Sequence, residues 1–235
     1  MCYKGVCAAG GDVMRIVPFI VVVLVAVSAA SAATPDRTAQ LRAASEKVLA
    51  ATPEAAATWE SLGDGALRHK PSGLVCPGDN LPMMPLTKLV ITASPPPEHN
   101  GICDYESADG TKTTQLVATK VGETTPVEKI LASMHNFIMQ QYPQAKSLGL
   151  VSSILLPAAK GEAFAATVDD RSSIILLYVA VVKDWSVWTL VTVPDDNPTP
   201  KSASLVGMLW SGAFHVGVFG VIRTAQGIPE PRQKP

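Results

Sequence analysis

The sequence predicts an α+β domain: a mainly antiparallel sheet with helices packed on its faces, held by one disulfide. Three observations carry that expectation. The segments read, in order, as two helices, strands, a hairpin, a helix, three strands and a helix. Asp109-Gly110 is a strong hairpin signal, and hairpins pair antiparallel strands. Two cysteines, Cys76 and Cys103, remain once an N-terminal leader is set aside, in a chain bound for an oxidising compartment.

The 235 residues are 47% hydrophobic and 17% charged with a formal net charge of −1. That balance excludes disorder over most of the length. With no Lys/Arg block there is no electrostatic footprint for nucleic acid, so none is expected as a partner.

Ile16 to Val27 is an uncharged apolar run, too short for a bilayer crossing of roughly 20 residues but suited to a signal-peptide core. Ser31 and Ala33 satisfy the small-residue rule and place cleavage before Thr34, with Ala30 and Ala32 placing it one residue earlier. Met14-Arg15 makes a better basic start than the Asp12-containing stretch ahead of it, so translation from Met14 competes with translation from Met1. Neither Cys2 nor Cys7 follows a lipobox. The expected segments are therefore 1–33 signal peptide, 34–66 N-terminal helical segment, 67–225 α+β domain and 226–235 disordered tail. The location is periplasmic or extracellular.

Thr34-Pro35, Thr52-Pro53, Thr125-Pro126 and Thr199-Pro200 each write an N-cap before a proline, which favours the first helical position. The first two predict an Ala-rich pair with Leu41, Val48 and Leu49 on one stripe, then Trp59 and Leu62, stopped by Gly63-Asp64-Gly65. Leu86 to Ser94 reads as a strand ended by Pro95-Pro96-Pro97. The Asp109-Gly110 turn joins Ile102–Ser107 to Lys112–Thr119, a register that sets Cys103 and Tyr105 opposite Leu116 and Thr114. Thr125 and Glu128 make a capping box, followed at helical spacing by Val127, Ile130, Leu131, Met134, Phe137 and Ile138; Tyr142-Pro143 ends that helix. Ala163–Val168, Ser173–Val182 and Trp185–Val193 read as strands. Ile174 to Val179 lacks alternation, which predicts a central strand covered on both faces.

The last helix is expected from Thr199 to about Gly212, with Phe214, Val216 and Val218 alternating as a strand would. A competing reading takes the 19 uncharged residues of 204–222, followed by Arg223, as a membrane anchor. Four glycines, His215 and two serines weigh against it.

Cys76 and Cys103 are expected to pair, which on the chain-entropy model stabilises the fold by roughly 3.5 kcal/mol. The alternatives are free thiols or a zinc or copper set of His69, Cys76, His99 and Cys103, whose His69–Cys76 spacing fits no common zinc knuckle. No other metal and no cofactor is expected. Met83-Met84 lacks the neighbouring His or Met that a copper site would need. Gly-x-Ser-x-Gly, His-Glu-x-x-His, P-loop and Gly-x-Gly-x-x-Gly patterns are missing, so no catalytic residue is assigned. Asp169-Asp170 and Asp195-Asp196 read as turns. Trp185 and Trp188 fall on opposite faces of one strand, and an exposed one is the best candidate ligand contact.

His69-Lys-Pro-Ser-Gly-Leu-Val-Cys76-Pro77, Cys103-Asp-Tyr105 and the strand ending Thr192-Val-Pro194 resemble exported bacterial proteins of unassigned function. The layout of residues 70–215 resembles PsbP-like proteins, which implies an α/β/α arrangement and no catalytic residues. The expected function is an exported, non-enzymatic domain that binds a protein partner or a small apolar ligand. The alternatives are an envelope hydrolase using His69, His99 or His135 as base, and a membrane-anchored envelope protein using 204–222. Oligomeric state is not legible.

Overall fold

Four stretches of the chain are described by the structure, a computed structural model: residues 35–80, 84–92, 96–153 and 156–228. The expected leader, its cleavage site and most of the expected tail lie outside them. One helix start falls as the Thr-Pro signals suggest: the C-terminal helix begins at Pro200 with Thr199 as N-cap. Helix α1 spans Pro35–Ala50, and Thr34, its expected N-cap, lies outside the described residues. The other two differ. Thr52-Pro53 opens only a five-residue 3-10 turn, Pro53–Ala57, because Trp59 next enters a strand, β1 (Trp59–Ser61). Pro126, not Thr125, caps α2 (Val127–Gln141), and no side chain bonds there, so the Thr125–Glu128 capping box does not form.

Strand β1 pairs with β2 (Leu67–His69), and β2 with β3 (Val75–Cys76), in a small antiparallel sheet. Glu60 and Arg68 face each other across it and form an ion pair.

The main sheet has eight strands: β4 (Asp79–Asn80), β5 (Met84–Val90), β6 (Asn100–Glu106), β7 (Thr113–Lys120), β8 (Lys146–Ser152), β9 (Lys160–Val168), β10 (Arg171–Val182) and β11 (Trp185–Pro194). Their spatial order is β4-β5-β6-β7-β11-β10-β9-β8, antiparallel at every step. The hairpin register sets Cys103 opposite Leu116 and Tyr105 opposite Thr114, as expected. Asp169 and Asp170 both take positive φ, the two-residue turn that matches strand twist between β9 and β10.

Strand β10 explains the layering. Ile174, Leu176 and Tyr178 join one core cluster with Trp210 and Phe214 of the C-terminal helix. Ile175, Leu177 and Val179 join another with Ile138 of α2. All six are buried, so the non-alternating run is a central strand with a helix on each face.

The C-terminal helix, α3, spans Pro200–Gln226 and so continues well past Gly212, through residues expected to form a strand. Its glycines permit close packing and do not end it. A Cβ at Gly220 would stand 2.4 Å from the Gly73 carbonyl oxygen, and one at Gly217 2.9 Å from a Leu116 methyl. The helix begins with a reciprocal Thr199–Ser202 capping box. It ends at left-handed Gly227, with the Ile228 amide bonded back to the Arg223 carbonyl. Lys183 donates to the Ala225 carbonyl, adding a cation at the negative end of the helix.

Candidate functional site

Cys76 and Cys103 form a disulfide with Cα atoms 6.3 Å apart, joining β3 of the small sheet to β6 of the large one. Both sulfurs are thereby spent, and both nitrogens of His69 are engaged as well. Its Nε2–H donates to the Pro97 carbonyl at 3.0 Å, and since a carbonyl only accepts, Nδ1 must accept from the Ser72 hydroxyl at 2.9 Å. Ser72 Oγ in turn accepts from the Leu74 amide. The imidazole lies against Trp59 and edge-on to Trp185. Burial pushes its pKa down to about 4, with the Pro97 bond opposing, so the ring is neutral at pH 7. Cys76, Cys103 and His69 thus make a structural joint, His99 ends the short 3-10 turn Pro97–His99, and no group of three metal-ligating side chains occurs among the described residues.

Trp185 is buried in the α3-side core, whereas Trp188 is half-buried on the α2 side, packed beside that cluster. The two therefore occupy opposite faces, and Trp188 is the more accessible. Met84 is a core residue.

Two histidines have partners of catalytic type, on opposite faces of the sheet. On the α2 side, Glu162 accepts from His135 Nδ1 at 2.9 Å and from Ser147 Oγ at 2.6 Å. Here the serine bonds the acid and not the imidazole. On the α3 side, Ser153 Oγ lies 2.6 Å from Nε2 of buried His215 and accepts the Leu156 amide. His215 Nδ1 has no partner, and burial lowers its pKa. One site has the acid–histidine half of a triad and the other the serine–histidine half. No described histidine bonds both a serine and a carboxylate.

A groove of about 430 Å³ opens on the α2 side, where β5, β6, β7 and β11 run beyond the helix. Across its floor Lys88 and Gln115 both bond Asp104, at 3.3 and 2.8 Å. Threonines, acids and amides share the lining with Tyr105, Phe137, Tyr142 and Leu190. An open groove of such mixed lining does not enclose an apolar ligand.

The apolar surface lies elsewhere. Trp210, Phe214, Val218 and Val221 on the inner side of α3 are buried, and Phe214 stacks on Tyr178 at 5.6 Å. On the outer side, Leu205, Met208, Leu209, Val216 and Phe219 are 44–62% exposed. At 3.6 residues per turn these five share one arc of the helix. They are most of the large apolar side chains left exposed among the described residues. A helix with apolar side chains on both faces belongs between two apolar layers, and the described residues supply one. Periodicity signalled only that 204–222 is uncharged; which side chains face outward depends on how α3 sits on the sheet.

No single described helix is long and apolar enough to cross a membrane. The two halves of α3, Pro200–Gly212 and Phe214–Gln226, pass that test only together, across a bend of 45°. The bend falls beside Ser211-Gly212, a pair of the kind at which helices kink.

Fold and site together define an α+β domain with an open apolar helix face. No protein-family model matches the chain, and no curated protein matches it.

Proposed function

We propose that the protein is an exported, non-enzymatic binding domain, periplasmic or extracellular once its leader is removed, that docks on a partner through the outer face of α3. The carrying observation is the exposed row Leu205, Met208, Leu209, Val216 and Phe219 on a helix whose inner face already fills the core. Of the two ligand classes expected from the sequence, an extended apolar partner suits this row better than a small apolar ligand, which needs an enclosed apolar cavity. Spanning a membrane would pull Trp210, Phe214, Val218 and Val221 out of the core, so contact along the surface is the favoured geometry. The resemblance to PsbP-like proteins adds an architecture and no activity.

Replacing Leu209 and Phe219 together by serine tests this. The variant should stay folded and lose most of the wild type's binding of an apolar reporter dye, while serine at Ala132 on α2 changes neither. Dye binding untouched by the pair would refute the docking face.

A second reading, an envelope hydrolase, draws on the Ser153–His215 contact. Covalent labelling of Ser153 by a fluorophosphonate would support it, and an unlabelled Ser153 in folded protein would remove it.

A further inference from the structure

We infer that the partner of the α3 outer face is an anionic phospholipid surface, on which the helix lies in the plane of the headgroups. This rests on the docking-face reading above and names its occupant.

Charge is the first argument. Residues 200–226 contain no acidic side chain, and the two basic ones, Lys201 and Arg223, stand at opposite ends. The 3.6-residue period places exposed Lys201 on the arc that carries Leu205, Leu209, Val216 and Phe219, whereas Arg223 is half-buried with its Nε enclosed. The outer face is therefore an apolar row with an exposed cation at one end and no acid along the helix. That pattern matches a bilayer edge, where acyl chains take the apolar side chains and phosphates take the cation. Asp195 and Asp196 precede the N-cap and are the nearest acids in sequence.

Size and shape are the second argument. Five exposed apolar side chains on one arc of a helix make a narrow apolar strip, whereas a stable protein–protein interface draws on a broad patch of about 800 Å² per partner. A 45° bend midway, beside Gly212, also breaks the straight seam that two helices would need to pair along their length. A lipid surface needs neither broad complementarity nor a straight seam. It needs a row of apolar side chains that enters about 5–10 Å below the headgroups.

The bound position follows. Leu205, Met208, Leu209, Val216 and Phe219 enter the acyl boundary, while Trp210, Phe214, Val218 and Val221 stay in the core, so binding needs no unfolding.

Full-length protein should be mixed with vesicles containing photoactivatable phosphatidylglycerol, irradiated, and its lipid adducts mapped by mass spectrometry. Mapping by residue separates α3 from any contribution of the apolar run 16–27. Adducts are expected on 205–219 and not on α2, falling about tenfold or more in Leu209→Ser/Phe219→Ser. Lys201→Gln should weaken labelling by anionic vesicles about fivefold and leave phosphatidylcholine vesicles unaffected. Absence of adducts on 205–219 overturns the lipid assignment. If the row is then shielded from a water-borne carbene in a dimer or complex, and open in the monomer, the docking face survives with a protein occupant. If it is shielded in the monomer too, both readings fall.

Discussion

The two long helices flank one sheet, and they solve the same packing problem differently. On α2, Ile138 is buried, Val127, Ile130, Leu131 and Met134 pack partly under it, and the outer side carries Glu128, Lys129, Ser133, Asn136 and Gln140. Phe137 is the one large apolar side chain it leaves exposed. This is the ordinary amphipathic solution, in which the polar face meets water. On α3 the inner face is packed more completely, yet the outer face is apolar as well. Stability requires the first feature and not the second. The outer row of α3 is the part of the molecule that folding alone does not explain.

The largest expected effects lie on the inner side. Phe214→Ala should cost about 3–5 kcal/mol in denaturant unfolding, through lost burial and a cavity against Tyr178. A loss below about 1 kcal/mol would mean that α3 is not seated as described.

Acid should act nearly as strongly. His69 is held neutral by burial, with a folded pKa of about 4 against an ordinary 6.5. Between these values the unfolded chain binds the extra proton, so stability is full above about pH 6.5 and falls as the pH drops toward 4. The loss is on the order of 3 kcal/mol and levels off below that pH. Burial of His215 on α3 acts in the same direction. Urea titrations across this window should show the slope, and His69→Gln should flatten it. A flat profile in the wild type would contradict the buried neutral ring.

Gly220→Ala separates packing from helix propensity. In an open helix the change would gain about 1 kcal/mol. Against the Gly73 carbonyl it should instead lose about 1–3 kcal/mol, read as a lowered melting temperature. The smallest effect is expected outside: Leu209→Ser should shift stability by less than about 0.5 kcal/mol. A large loss there would mean that the outer row is core.

The same contrast shows what was legible in the sequence. The period of α2, the unbroken apolar run of β10 and the Asp109-Gly110 turn are local signals, and each led to the right element. The extent of α3 was not legible, because Gly217 and Gly220 look like breakers until Leu116 and the Gly73 backbone are seen against them. Strand β8 went unread: Lys146–Ser152 has no alternation and a positive-φ glycine at its centre. The three short strands β1–β3 hold too few residues for a period, and their sheet is pinned by the disulfide and His69. Of the candidate site, its uncharged stretch was visible, but its outward direction arises from tertiary packing.

The openness of the α3 outer face is tested most directly by methionine oxidation in dilute monomeric protein, followed by mass spectrometry. Met208 stands on the outer row, 54% exposed, and Met84 is in the core, 1% exposed. An open face predicts that Met208 converts to sulfoxide long before Met84, while the protein is still folded. Met208 as slow as Met84 would show the face to be covered within the monomer and would contradict the docking role assigned to it.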